Sequence, residues 1–316
     1  MTTLNLDSPG TRVKVKAPVS PLAKRSAIAG WLMLAPWLLL FITFTVWPLF
    51  MAAGLAGSQT FGPKATTPVG FGNFKNLFAD PLFFLACKNT ILYTLGSLFI
   101  QLPLALGLAL LLNRPDIRGR AFFRLVIFSP ALVGAAFSAM MFAVILEKRT
   151  GLLNIILFKL LGPGLWKIDH PWLETHILWS LIIASLWQWT GFNMVYFLAA
   201  LQNVRQDLLE AARLDGAGPI RRFMLVTLPA IKPVGGFVVL LSVIGSMQLF
   251  ELPYIMLSSS GGPENRGLTV VMYLFQQGFE AGDLGYASAI GWVLAVFLMI
   301  LALVQRKVSG DSEVQT

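Results

Sequence analysis

Six apolar runs of membrane-spanning length occupy most of this chain, at 27–55, 83–112, 125–146, 177–201, 234–257 and 286–304. A helix needs about 20 apolar residues to cross the hydrocarbon core of a bilayer. Inside lipid every backbone N–H and C=O must be bonded within the protein, so only helices or a closed barrel can span. Continuous apolar runs, rather than short alternating ones, select helices. The composition agrees: the chain is 56% hydrophobic and 12% charged over 316 residues, where a soluble domain carries about 25% charged. The predicted fold is therefore an all-α membrane protein with six transmembrane helices. Pro36, Pro48, Pro103, Pro130, Gly245 and Pro253 fall inside these runs. Neighbouring helices can re-satisfy the backbone at such residues, so a packed and locally kinked bundle is expected.

Residues 1–26 are polar, rich in Pro and basic, and read as a mobile cytoplasmic tail. The first run is much longer than the apolar part of a signal peptide, about 7–15 residues, and is taken as a retained span. With the N-terminus cytoplasmic, sixteen of the Lys and Arg residues fall in the tail, the loop after the second span, the loop after the fourth and the C-terminal end. Eight fall in the intervening segments, which are longer. This asymmetry places both termini in the cytoplasm. The net charge of +9 is thus a topology signal, and nucleic acid is not implied. Residues 56–82, 147–176 and 258–285 read as structured outer caps, with Trp166, Trp172 and Trp179 suited to an interfacial belt. Residues 309–316 form a short cytoplasmic tail.

Between the fourth and fifth spans lies a polar loop, about 203–232, whose centre at 210–229 reads E-A-A-R-L-D-G-A-G-P-I-R-R-F-M-L-V-T-L-P. Asp207 and Glu210 stand three apart, like a capping box at the start of a short helix. Leu208, Ala211 and Ala212 share one face of mostly small side chains that can enter a groove on another protein. Gly216 and Gly218 end the turn, and Pro219 cannot continue it.

Several chemistries are excluded. No G-x-x-x-x-G-K-[ST] run occurs, so the chain does not bind ATP by a P-loop. No span carries the series of embedded acids or lysines that ion-coupled carriers use as relays; Glu251 is the one acid inside a predicted span. Cys87 is the single cysteine, so an internal disulfide is impossible. His170 and His176 lack neighbouring ligands, and no metal is expected. No nucleophile–base constellation is evident, so no catalytic residue is assigned.

The fourth-to-fifth loop resembles the EAA loop of the inner-membrane permease subunits of ABC importers, E-A-A-x-x-D-G-A followed by Phe and Leu-Pro. Glu210, Ala211, Ala212, Asp215, Gly216, Ala217, Phe223, Leu228 and Pro229 match it. Further stretches extend the resemblance over nearly the whole chain and narrow it to the carbohydrate-uptake branch, typified by the larger maltose permease subunit and the first glycerol-phosphate permease. They are V-G-F-G-N-F-K-N-L-F at 69–78, N-T at 89–90, G-R-A-F-F-R at 119–124, W-x-W-x-G-F-x-M at 187–194, G-G-P at 261–263 and L-G-Y-A-S-A at 284–289. The chain departs in having six spans where the maltose subunit has eight, and Arg205-Gln206 where the family usually has Ile-Pro.

The resemblance implies a type I ABC importer permease fold with spans two to six as its core, in a bacterial or archaeal cytoplasmic membrane. It implies that Glu210, Ala211, Ala212, Asp215, Gly216 and Ala217 form the coupling helix, seated on a cytoplasmic ATPase. The implied partners are a second permease subunit, two ATPase subunits that bind the ATP and Mg, and an extracytoplasmic sugar-binding protein; this chain holds no cofactor.

A sugar site inside a membrane needs hydroxyl and amide groups to replace water, and aromatic rings against the apolar faces of the sugar. Ser185, Gln188, Trp189 and Phe192 form one helical stripe in the fourth span, and Ser242, Gly245, Ser246 and Leu249 another in the fifth. By spacing alone both also suit helix packing. Counted back from Glu210, they fall on the sugar-contacting positions of the maltose subunit, which implies a substrate-binding role. The competing class is a stand-alone facilitator or ion-coupled carrier, which would transport without an ATPase.

Overall fold

Proline and glycine set the helix boundaries in the computed structural model, which describes residues 21–61 and 65–310. The expected basic tail lies outside the described residues up to residue 20, and the expected C-terminal tail from residue 311 onward. The chain divides into two units between Ala52 and Ala53. The first unit contains α1 (Pro21–Phe41), which begins inside the stretch expected as tail. A π-helical turn at Ile42–Val46 joins it to α2 (Trp47–Ala56). Ala29–Ala56 is continuously apolar and long enough to cross a membrane.

In the second unit, strands β1 (Ser58–Phe61) and β2 (Ala65–Pro68) pair antiparallel, with Ser58 opposite Pro68. This hairpin is a small element in an otherwise helical unit. It leads into α3 (Gly72–Leu77) and α4 (Pro81–Leu112), the second span. Asp80 caps α4 by accepting from the Leu82 N–H at 2.9 Å, and Pro81 takes the first helical position, where no N–H is needed.

The expected third span is broken. Helix α5 (Arg120–Phe128) and the 3-10 turn Ser129–Leu132 meet α6 (Ala135–Ile145) at a bend of 97°. Pro130 and Gly134 interrupt the hydrogen-bond ladder there, and the sequence run 125–146 conceals this because both halves are apolar. The described residues thus hold five continuous helices long enough to cross, and six spans if the bent pair counts as one.

The next segment carries α7 (Leu152–Leu161) and α8 (Trp172–Thr175). Fully buried Asn154 organises it: the amide donates to the carbonyls of Lys148 (3.1 Å) and His170 (2.9 Å) and accepts from Trp172 Nε1 at 2.9 Å. Trp166 and Trp172, both half-buried, stack on each other at 5.6 Å, and Trp179 is exposed. His170 and His176 lie 5.1 Å apart ring to ring, and among the described residues no three ligating side chains converge on a metal site.

The remaining helices are α9 (Ile177–Gln202), α10 (Gln206–Leu214), α11 (Pro219–Arg222), α12 (Leu228–Met247), α13 (Glu251–Met256), α14 (Val270–Phe275) and α15 (Leu284–Gly310). Helices α4 and α9 pack along each other at the centre of the unit. One core cluster joins Tyr93, Phe142, Leu181 and Met256, a second joins Ala105, Met194, Leu198 and Val238, and a third joins Leu77, Phe83, Met272 and Ile290. The small residues Ala105, Ala109 and Ala184 are fully buried, as expected where helix backbones approach closely in a membrane.

Buried polar side chains pin the loops to this frame. Asn89 donates to the carbonyls of Asn265 (2.8 Å) and Leu268 (3.0 Å), and Thr90 Oγ1 accepts from the Val270 N–H at 3.0 Å. The N-T pair therefore holds the loop between α13 and α14, in which Ser258, Ser259, Glu264 and Asn265 all have positive φ. Replacing Asn89 by Leu leaves the buried Leu268 carbonyl and the part-buried Asn265 carbonyl without a donor and is expected to cost about 1–3 kcal/mol. Thermal unfolding of the purified variant checks this; an unchanged midpoint contradicts it.

Asp80 also ties α4 to the last helices. Its Oδ2 accepts from Tyr286 at 2.7 Å and from the Tyr273 hydroxyl. Burial pushes the carboxyl upward, but the hydrogen bonds from Tyr273, Tyr286 and the backbone together outweigh it and hold the group below the usual carboxylate range. A depressed native pKa means that this contribution is complete above the unfolded value, about 3.9, and is lost as pH falls through the native value. Stability should therefore drop below about pH 4, and the Asp80→Asn variant should show a smaller drop. Equal acid sensitivity of the two proteins contradicts this.

Candidate functional site

The two stripes expected from sequence converge on one cavity. Ser185, Gln188, Trp189 and Phe192 on α9 face Ser242, Gly245 and Ser246 on α12, with Leu249 in the break before α13, around a space of about 350 Å³. That lies in the range of small-molecule sites, about 300–1,000 Å³. All eight line it. The lining also includes Glu251, the one acid found in a predicted span, and residues that sequence did not select: Tyr93 and Gln101 on α4, Asn193 on α9, and Gln248 and Leu252. Tyr93 and Gln101 share one face of α4 with Asn89, Thr90, Thr94 and Ser97, all buried. A polar stripe inside an apolar run is the signal that could have found them.

Unwound backbone shapes the cavity on two sides. Between α12 and α13 the helix is interrupted at 248–250, and the Leu249 carbonyl is satisfied by Thr269 Oγ1 at 2.7 Å. Between α5 and α6, the Val133 carbonyl accepts from Gln188 Nε2 at 3.2 Å. Irregular backbone at membrane depth is tolerated only where protein buries it or where it lines a cavity. Gln188 therefore serves the break with its nitrogen and keeps its carbonyl oxygen for the cavity. Asn193 Nδ2 donates to Ser242 Oγ at 3.4 Å, so the two helices are linked across the site.

The aromatic side is open. Trp189 is 41% exposed and meets Phe192 edge to face at 5.8 Å, and Phe192 meets Tyr196 at 5.1 Å. Trp189, Gly245, Gln248 and Glu251 are all exposed, so this chain supplies a concave half-wall rather than a closed chamber. Hydroxyls, amides and an accessible indole face are the groups that can hold an uncharged, hydroxyl-rich ligand.

The polar loop forms a separate surface. Helix α10 presents Leu208, Glu210 and Ala211, with Arg213 and Leu214, to solvent, while Leu209 packs toward the core with Met194 and Ile231. The expected capping box is absent: Arg205 occupies the cap position without a side-chain cap bond, and Asp207 pairs with the Arg205 guanidinium instead. That hydrogen-bonded partner holds the Asp207 carboxyl below its usual range. The helix starts at Gln206, so Asp207 stands inside it rather than at the cap, which is why the spacing alone misled.

The end of α10 explains D-G-A. The Ala217 N–H bonds the Ala212 carbonyl at 3.0 Å, and the Gly216 N–H bonds the Arg213 carbonyl at 3.1 Å, with Gly216 at φ +76°. These are the two bonds of a Schellman stop, which requires a left-handed residue. A Cβ at Gly216 would meet no atom within 4 Å, so its requirement in this chain is conformational. Asp215 is the exposed residue before it, and Ala212 and Ala217 are half-buried. Helix α10 stops at Leu214, and Pro219 does not continue it but opens α11, with Gly218 before it, from which the chain runs on through a π-helical turn at Phe223–Thr227 into α12.

Residues 101–306 match the family described as "Binding-protein-dependent transport system inner membrane component". The chain is 37% identical over 285 residues to the arabinooligosaccharides transport system permease protein AraP of Bacillus subtilis (strain 168), covering 90% of this chain and 89% of that protein. It is 32% identical over 290 residues to the lactose transport system permease protein LacF of Rhizobium radiobacter, covering 90% and 95%. In fold it is similar to a chain of a bacterial alginate ABC transporter solved in complex with an alginate pentasaccharide-bound periplasmic protein, with a TM-score of 0.75 at 23% identity over 90% of this chain and 95% of that one. A family match spanning most of the bundle, with full-length relatives above 30% identity, assigns this chain to the binding-protein-dependent transport system inner membrane components.

Proposed function

We propose that this chain is one of two permease subunits of a sugar importer driven by ATP hydrolysis in separate subunits. The observation that carries the reading is the cavity between α4, α9 and α12, whose lining is uncharged and polar on one side and aromatic on the other, except for Glu251. Its open side suits closure by a second, similar permease. The exposed helix α10 suits docking in a cleft of the ATPase, which binds ATP and Mg. An extracytoplasmic binding protein delivers the sugar from the side opposite α10, with both termini and α10 in the cytoplasm. Closure of the two ATPases on ATP draws the two coupling helices together and opens the cavity outward; hydrolysis resets it inward. This chain forms no covalent bond with its cargo; its work is binding and movement. AraP and LacF, named for arabinooligosaccharides and lactose, favour a carbohydrate as the cargo.

Truncating Trp189 to Ala removes the exposed ring of the cavity and is expected to lower sugar uptake about tenfold or more, since an aromatic contact contributes about 0.5–1.5 kcal/mol beyond its buried area. Uptake by the reconstituted importer, with basal ATPase measured alongside, tests the reading. Full uptake by both Trp189→Ala and Ser242→Ala overturns the assignment of this cavity.

A further inference from the structure

The cavity lining includes one acidic side chain, and the proposed sugar site leaves it without a role. Glu251 stands at the start of α13, exposed to the cavity and beside Gln248. No other lining residue is Asp, Glu, Lys or Arg. Among the described residues its carboxylate has no ion-pair partner within 4.0 Å and accepts no hydrogen bond from a side chain or backbone N–H. Lys232, the basic residue of α12, lies about 20 Å of helix rise before the end of that helix at Met247. An acid in the first turn of α13 suits the helix dipole, but that interaction fixes neither of its oxygens.

A carboxylate in a membrane-embedded cavity acts on ligands in two opposite ways. Its oxygens are acceptors only, so they bind hydroxyl donors strongly. The same charge repels a second anion, and the repulsion is stronger in a low-dielectric site than in water. The other polar groups of the wall, the hydroxyls and amides of Tyr93, Gln101, Ser242 and Ser246, offer no positive charge to offset it. We propose that Glu251 sets the charge class of the cargo, admitting uncharged glycosides through hydroxyl hydrogen bonds and rejecting sugars that carry a carboxylate or phosphate. The inference rests on the sugar reading of this cavity and narrows it. Specificity of this kind arises by repulsion of the wrong ligand as much as by attraction of the right one.

The test uses the assembled complex of both permeases and both ATPases in nanodiscs, without ATP and without the binding protein, so that delivery does not filter the ligands. Equilibrium binding is measured for neutral disaccharides and their uronic-acid counterparts of the same linkage, such as galactobiose against digalacturonate and cellobiose against cellobiouronate. The native complex should prefer the neutral member of a pair by about tenfold or more. Glu251→Gln should move the two in opposite directions, weakening the neutral sugar a few-fold and tightening the uronate about tenfold, whereas Glu251→Asp keeps the native order. Assembly of each variant is checked by size exclusion. Equal affinity for both members in the native complex, or a ratio unmoved by Glu251→Gln, overturns the proposal. Binding of no sugar by any form overturns the sugar reading itself, and the proposal with it.

Discussion

Reversing Glu210 to Lys is expected to abolish ATP-driven uptake and binding-protein-stimulated ATPase activity while membrane insertion stays intact. Glu210 is exposed on α10, without an ion pair among the described residues, and its helix is anchored to the bundle from the opposite side through Leu209. The substitution therefore disturbs nothing inside this chain. In the proposed coupling, Glu210 meets a basic group of the ATPase cleft, and charge reversal converts attraction into repulsion. Truncating one member of a buried interfacial charge pair costs about 2–5 kcal/mol, or roughly 30- to several-thousand-fold in affinity, and reversal costs more. ATPase stimulation in proteoliposomes, with co-purification of the ATPase, measures both effects. Native stimulation in the variant removes α10 from the coupling path.

Gly191→Val is expected to have the second large effect, on folding rather than on coupling. A Cβ at Gly191 would stand 1.9 Å from the carbonyl oxygen of Ile127 and 2.9 Å from the Cα of Phe128. Both are backbone atoms, so no rotamer change relieves the collision, and α5 must separate from α9. Overpacking typically costs about 1–3 kcal/mol, and a clash with backbone lies at or above that upper value. Separating α5 also removes the ledge that holds the Val133 carbonyl against Gln188. The variant should appear in the membrane at a small fraction of the native amount and unfold at lower temperature in detergent. Native yield and an unchanged unfolding midpoint contradict the packing described for α5 and α9.

Gly191 also illustrates what the sequence could and could not say. It belongs to W-x-W-x-G-F-x-M, a stretch that marks the family, yet the reason for the glycine is a helix from a different part of the chain. Gly285 in L-G-Y-A-S-A is similar: a Cβ there would lie 1.7 Å from the Ser58 carbonyl oxygen, beside the bond from Thr60 to Asp283. Local spacing carried the apolar runs and the short helix α10, because each depends on a single stretch of chain, whereas the two stripes were assigned to a cavity only by the resemblance, counted from Glu210. The 97° bend between α5 and α6 was hidden because lipid-facing and protein-facing apolar residues look alike in sequence. The α4 wall of the cavity was missed for a related reason. Tyr93 and Gln101 lie on a polar stripe with Asn89, Thr90, Thr94 and Ser97, and the stripe marks a buried face of α4 without saying that it opens on the same space as α9 and α12. The capping box failed at Asp207 because the helix begins one residue before it, at Gln206, a start that a spacing rule does not register.

In the proposed assembly this chain moves its cargo only together with the ATPases, with the cavity in this subunit and the energy supplied through α10. The most direct measurement is uptake of a radiolabelled neutral oligosaccharide, one that the binding protein retains, into proteoliposomes. The chain alone is compared with the complete set of two permeases, ATPases and binding protein, each with and without ATP. Uptake is predicted only for the complete set with ATP, and it should disappear when Glu210→Lys replaces the native chain. Uptake by the chain alone, or by the complete set without ATP, would contradict the account and identify a self-sufficient carrier.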